Sequence, residues 1–128
     1  MPIHDLKNNI KVLPSIKPVA ATGDATGVAV DTFGYESVTA ILTATTASVA
    51  GTFKLTECAT SGGSYTDVAA GDVIGTQGVA VVEDGSVTIG YIGGLRYIKL
   101  VFTHSADGVI SGDVVLGHPH VAPTGANS

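Results

Sequence analysis

All five prolines of this 128-residue chain lie near its ends, at Pro2, Pro14, Pro18, Pro119 and Pro123. Proline has no N–H to give to a β-ladder and is kept out of central strands. The stretch from about 25 to 117 is therefore free to be continuous sheet. Its composition agrees: 17 Gly, 17 Val, 15 Ala and 15 Thr dominate the chain. β-Branched side chains suit a pleated surface, and glycine closes the turns between strands. Charged residues make up only 13%, about half the usual quarter of a soluble chain.

Nothing in the body reads as a long helix. Short β-branched runs separated by Gly, Asp or Ser predict strands at 10–13, 16–20, 27–32, 36–45, 52–58, 79–83, 86–90, 95–104 and 109–116. The clearest is Leu95 to Thr103, where Ile98, Leu100 and Phe102 share one face and Tyr97, Lys99, Val101 and Thr103 the other. That is the period of two of a half-buried strand. Phe53 and Leu55 alternate with Lys54 and Thr56 in the same way. In Ser37 to Thr45, Val38, Ala40, Leu42 and Ala44 oppose Thr39, Ile41, Thr43 and Thr45. The expected core is Val38, Leu42, Phe53, Leu55, Ile98, Leu100 and Phe102. Asp84-Gly85 is a tight-hairpin signal between its flanking strands. Ser61-Gly62-Gly63-Ser64 reads as a hairpin tip, and Ala106-Asp107-Gly108 as a further turn. The fold class is all-β, an antiparallel β-sandwich or a small, jelly-roll-like barrel.

Charge divides the chain. Residues 1–24 carry Lys7, Lys11 and Lys17 against Asp5 and Asp24, whereas the remainder holds Lys54, Arg96 and Lys99 against nine acids. The expected organisation is an extended basic arm over 1–24, a sandwich over 25–117 and a tail over 118–128. Pro14 and Pro18 bias Leu13 and Lys17 towards extended geometry, so the arm is disposed to lie across a surface. Lys7, Ile10, Lys11, Val12, Leu13 and Lys17 are its candidate partner-binding residues: a strand to add to a neighbouring sheet edge, with lysines to meet acidic groups.

Signals for chemistry are few. There is no phosphate-binding loop, nucleophile elbow, Cys-x-x-Cys or His-Glu-x-x-His. His118 and His120 flank Pro119, but a zinc site takes three or four ligands, and only His4, His104 and Cys58 remain as soft donors. No metal or cofactor is expected. Asp67, Asp72, Glu83, Asp84, Asp107 and Asp113 stand beside glycine or at strand ends, where Asp serves turns, and no enzymatic activity is expected. The single Cys58 has no internal disulfide partner. A net charge of −5 argues against sequence-independent nucleic-acid binding. No apolar run approaches the roughly 20 residues of a membrane span, and residues 1–20 show no signal-peptide h-region. Tyr35, Tyr65, Tyr91, Tyr97 and Phe33 are the aromatics left for a sugar-stacking platform once Phe53 and Phe102 are assigned to the core. Tyr91 and Tyr97 flank Gly93-Gly94 and are expected to anchor a sheet corner with their hydroxyls satisfied.

Four runs carry a resemblance: Val30-Asp31-Thr32-Phe33-Gly34-Tyr35-Glu36-Ser37-Val38; Tyr65-Thr66-Asp67-Val68 with Asp72-Val73-Ile74-Gly75; Gly90-Tyr91-Ile92-Gly93-Gly94-Leu95-Arg96-Tyr97-Ile98-Lys99; and Val115-Leu116-Gly117-His118-Pro119. Over roughly residues 10 to 123 the chain resembles small proteins encoded among the head genes of tailed bacteriophages, similar to capsid decoration (cement) proteins. The resemblance implies a β-rich, non-enzymatic virion component, made in the host cytoplasm and placed on the capsid surface. The implied partners are the major capsid protein and further copies in a homo-oligomer, with neither nucleic acid nor membrane. The alternatives are a glycan-binding attachment sandwich and a tail or head-completion subunit.

Overall fold

The structure, a computed structural model, describes residues 6–21, 23–44, 50–81, 85–106 and 108–119. A 3-10 turn (Lys7–Asn9) leads into β1 (Ile10–Ala21), β2 (Ala25–Thr26), β3 (Val30–Asp31), β4 (Tyr35–Ala44), β5 (Ala50–Cys58) and β6 (Thr66–Asp67). A second 3-10 turn (Ala70–Asp72) precedes β7 (Val73–Ile74), β8 (Val79–Ala80), β9 (Ser86–Tyr91), β10 (Tyr97–Ala106) and β11 (Gly108–Pro119). Two antiparallel sheets face each other as a sandwich. One has the order β1-β11-β4-β9-β7; the other has the order β2-β10-β5-β6, with β3 also on β10 and β8 also on β5.

The core lies where the alternation places it. All seven expected core residues are buried, and Phe53, Leu55, Ile98, Leu100 and Phe102 are wholly inaccessible. They meet Leu42, Ile89, Ile110, Val114 and Leu116 from the opposite sheet. Each such side chain contributes about 1.5–3 kcal/mol when fully buried, so this layer is the main source of cohesion. Gly112 belongs to it by having no side chain. A Cβ there would stand 2.7 Å from Leu100 Cδ1, so Leu100 fills the space across the sandwich.

The long strands alternate between the layers along the chain: β4, β9 and β11 lie in one sheet, β5 and β10 in the other. Turn signals therefore mark arches between sheets as well as hairpins. Ser61 to Ser64 does close a hairpin, since β5 and β6 pair through Thr56 with Asp67 and Glu57 with Thr66. Asp84 lies outside the described residues; of the strands on either side of the expected Asp84-Gly85 hairpin, β8 pairs with β5, while β9 is flanked by β4 and β7. The second half of the expected 79–83 strand, Asp84 and Asp107 lie outside the described residues, as do 1–5 and the tail from 120 onward. The expected strand 27–32 splits into β2 and β3. Between them Gly27 N–H bonds to Leu100 O and Val28 N–H to Ser15 O, each at 2.8 Å.

The strands expected at 10–13 and 16–20 find their partner edge within the same domain. Residues 10–21 form one edge strand, paired with β11 from Ile10–Gly117 to Ala21–Gly108. The two prolines are accommodated because β1 is an edge and because the register shifts between Pro14 and Ile16 and again before Val19. Edge position and bulge are the two places a sheet accepts proline. The first shift also brings Ser15 and Ile16, adjacent in sequence, both into the interior. Ser15 Oγ donates to Val28 O (2.8 Å) and accepts from Leu100 N–H (3.3 Å). One side chain thereby ties the edge of the first sheet to a central strand of the second. Gly27 makes room for it, as a Cβ there would meet the Ser15 backbone at 2.8 Å.

Two further side chains secure the opposite side. Gln77 takes the place of a strand partner in the gap that β6 and β8 leave along β5. Its Oε1 accepts from Leu55 N–H (3.0 Å), and its Nε2 donates to Leu55 O (2.7 Å) and Val68 O (3.1 Å). Tyr91 of β9 is buried and reaches across to β5, its hydroxyl 2.7 Å from Glu57 Oε1, while it accepts Leu95 N–H at 3.0 Å. Burial, then the Glu57 contact, pushes the Tyr91 hydroxyl far above its ordinary value. This is the sheet-corner anchor expected of Tyr91.

Candidate interaction surfaces

The two sheets present outward faces of different chemistry. On the five-stranded sheet the register lines up Val12, Val115, Thr39, Gly90 and Ile74 across all five strands. Beside that row run Pro14, Asp113, Ile41 and Thr88, then Ser111, Thr43 and Ser86. Asp113 is the one charged residue in these three rows. Thr43 Oγ1 and Ser86 Oγ lie 3.0 Å apart, a cross-strand hydroxyl pair.

The opposite face gathers charge and rings. Asp31, Tyr97 and Cys58 form one cross-strand row, and Lys99, Thr56 and Asp67 the next. All three cations of residues 25–128 are here: Lys54, Arg96 and Lys99. The Asp31–Tyr35 turn explains how Phe33 comes to project. Asp31 Oδ1 accepts Phe33 N–H (2.9 Å), Tyr35 N–H bonds to Thr32 O (3.2 Å), and Gly34 takes φ +91°. Glycine at the third position is what such a turn requires. Phe33 is left 73% exposed.

Arg96 locks this turn to the start of β10. Its Nε and Nη2 donate to Asp31 Oδ1 and Oδ2, each at 2.7 Å. Thr32 adds bonds from its N–H and hydroxyl to Arg96 O, at 2.9 and 2.7 Å. The guanidinium lies 4.8 Å from the Phe33 ring centroid and 5.1 Å from that of Tyr97, both within cation–π range. The pairing with Arg96 holds the Asp31 carboxyl below its ordinary value, with a smaller contribution from the charge of Lys11. Lys99 Nζ stands 4.2 Å from the Tyr65 centroid, and Tyr65 is fixed by its hydroxyl on Ser61 O at 2.9 Å. Lys54 pairs with Asp67 at 2.9 Å. Among the described residues no carboxylate pairs with Lys99.

The six residues expected to bind a partner do not share one face. Ile10 and Val12 fall on the outer side of the five-stranded sheet, whereas Leu13 packs against the core. Lys11 acts on Asp31 from the neighbouring edge, and Lys7 and Lys17 are exposed. The cation–ring cluster was missed as a unit because its members come from three distant segments that only the β3–β10–β5 pairing brings together. The available signal was the alternation in 95–103, which already put Tyr97 and Lys99 on one outward face.

His118, the one non-glycine described with positive φ (49°), has Nδ1 2.5 Å from Ser37 Oγ. His120 and His4 lie outside the described residues, and among those described no group of three or more His, Cys, Asp or Glu is placed to hold a metal ion. Cys58 is a half-buried free thiol, 3.9 Å from Thr60 Oγ1. No helix among the described residues is long and apolar enough to cross a membrane. No known family model and no curated protein matches the chain.

Proposed function

We propose that the chain is a non-enzymatic structural protein of a tailed-phage virion, a decoration protein that binds the head and stabilises it. The observation that carries this reading is the division of the sandwich into two unlike outer faces. A protein laid on a shell needs one side that grips and another that stays wet beside neighbouring copies. The cation–ring face offers grip, since Arg and aromatic residues concentrate binding energy at protein interfaces. The Thr-rich face suits solvent and close neighbours alike. Three of the four runs that carry the resemblance to head proteins meet on the gripping face, through Asp31 and Phe33, Tyr65 and Asp67, and Arg96, Tyr97 and Lys99.

The glycan-binding reading is weaker on the same geometry. Sugar platforms need several open ring faces, whereas Tyr97 and Tyr65 are half-buried with a cation over the ring and only Phe33 of the three stays exposed. Negative-stain images of heads with and without the protein provide the test. A regular array over the head supports decoration. A single density at a vertex or on the tail transfers the structural role elsewhere, and unbound protein with bare heads ends the reading.

A further inference from the structure

The cation–ring face is built to hold its charges in place before any partner arrives. Arg96 is fixed by a bidentate carboxylate and set against two rings, and Lys99 rests against Tyr65. Side chains already ordered lose little further entropy on binding. Three cations stand here against Asp31 and Asp67, in a protein whose net charge is −5. With Arg96 and Lys54 each paired to a carboxylate, Lys99 is left as the face's one uncompensated positive charge on an acidic molecule. Lys99 has the one cationic head on it with no carboxylate partner among the described residues. Phe33 offers an exposed apolar anchor beside it.

We infer that this face docks an acidic protein surface, with a partner carboxylate meeting Lys99 and an apolar contact covering Phe33. The inference rests on the decoration reading only in taking the head shell as the source of that surface; the chemistry of the face stands without it. A nucleic acid would also seek cations, but three of them against two carboxylates are too few to hold the dense phosphate charge of a duplex. A compact carboxylate-bearing protein surface can confine its contact to the positive patch.

Two measurements test this separately from the decoration reading. In the first, 15N-labelled full-length protein is titrated with poly-L-glutamate, and in a parallel titration with a DNA duplex. Saturable shifts centred on Phe33, Arg96, Tyr97 and Lys99 with poly-L-glutamate alone are expected. Shifts confined to Lys7, Lys11 and Lys17, no saturation, or tighter binding of the duplex would overturn the inference. In the second, wild-type, Lys99→Glu, Phe33→Ser and Thr39→Glu proteins are co-sedimented with heads of the phage that encodes the chain. Lys99→Glu and Phe33→Ser should each bind about tenfold or more weakly, with Thr39→Glu unchanged. Heads that bind wild type and both face variants equally overturn the docking face and leave decoration intact. Heads that bind none of the four remove decoration, and the poly-L-glutamate titration then decides the face alone.

Discussion

The two outer faces are built on the same interior and differ in what their outward positions carry and reach. On the five-stranded side Thr39, Ile41 and Thr43 face outward beside Val115 and Ser111, and side-chain interactions stay local to the sheet. On the other side the outward residues reach beyond their own strands. Arg96 binds the β3–β4 turn, Lys99 covers a ring from the β5–β6 hairpin, and Lys54 bridges to β6. A sheet face becomes a structured surface when its connecting loops fold back over it. On the five-stranded face, the cross-strand Thr43–Ser86 pair among the described residues joins two strands of the same sheet.

That contrast can be broken from underneath. Deleting residues 1–21 removes β1 with Leu13, Ile16 and the Ser15 tie between sheets, and should abolish cooperative thermal unfolding altogether. A truncated protein that still melts in one sharp transition would show β1 to be a dispensable arm. Phe102→Ala, at the centre of the shared layer, should cost about 3–5 kcal/mol in denaturant titrations. A loss below about 1 kcal/mol would mean that the layer is not packed as described.

Tyr91→Phe leaves Leu95 N–H without its acceptor and should cost about 1–2 kcal/mol. Because folding raises the Tyr91 pKa, its contribution is complete below the ordinary tyrosine value of 10.0 and fades as pH rises beyond it. The stability difference between wild type and variant should therefore narrow above pH 10. Asp31 has the opposite sign. Its carboxyl is depressed, so its contribution is present above the ordinary value of 3.8 and is lost as pH falls through the lower folded value. Asp31→Asn should flatten the acid limb of the stability profile and broaden the Phe33 resonances. The smallest effects sharpen the comparison directly. Thr43→Lys on the flat face and Lys99→Gln on the structured one should each change stability by less than about 0.5 kcal/mol, leaving both suitable as binding probes.

The interior was legible because burial imposes a period of two that any reader of Ile98, Leu100 and Phe102 can follow. Sheet membership was not legible. A turn signal reports where the chain reverses, and an arch between layers uses the same residue types as a hairpin within one. The partner of the edge strand was not legible for a related reason: prolines and lysines at 10–18 suit a free arm and a bulged edge equally. What decided between them was a partner almost a hundred residues away in β11. The cluster around Arg96 shares that cause, being assembled from turns whose proximity exists only after the strands have paired.

The most direct test of the two faces is hydroxyl-radical footprinting of the protein alone and mixed with the phage heads that we propose it binds. Phe33, Tyr65 and Tyr97 should lose reactivity on binding while Ile41, Val115 and Ile74 keep theirs. Protection of Ile41, Val115 and Ile74 with Phe33 still reactive would contradict this division by placing the grip on the five-stranded face.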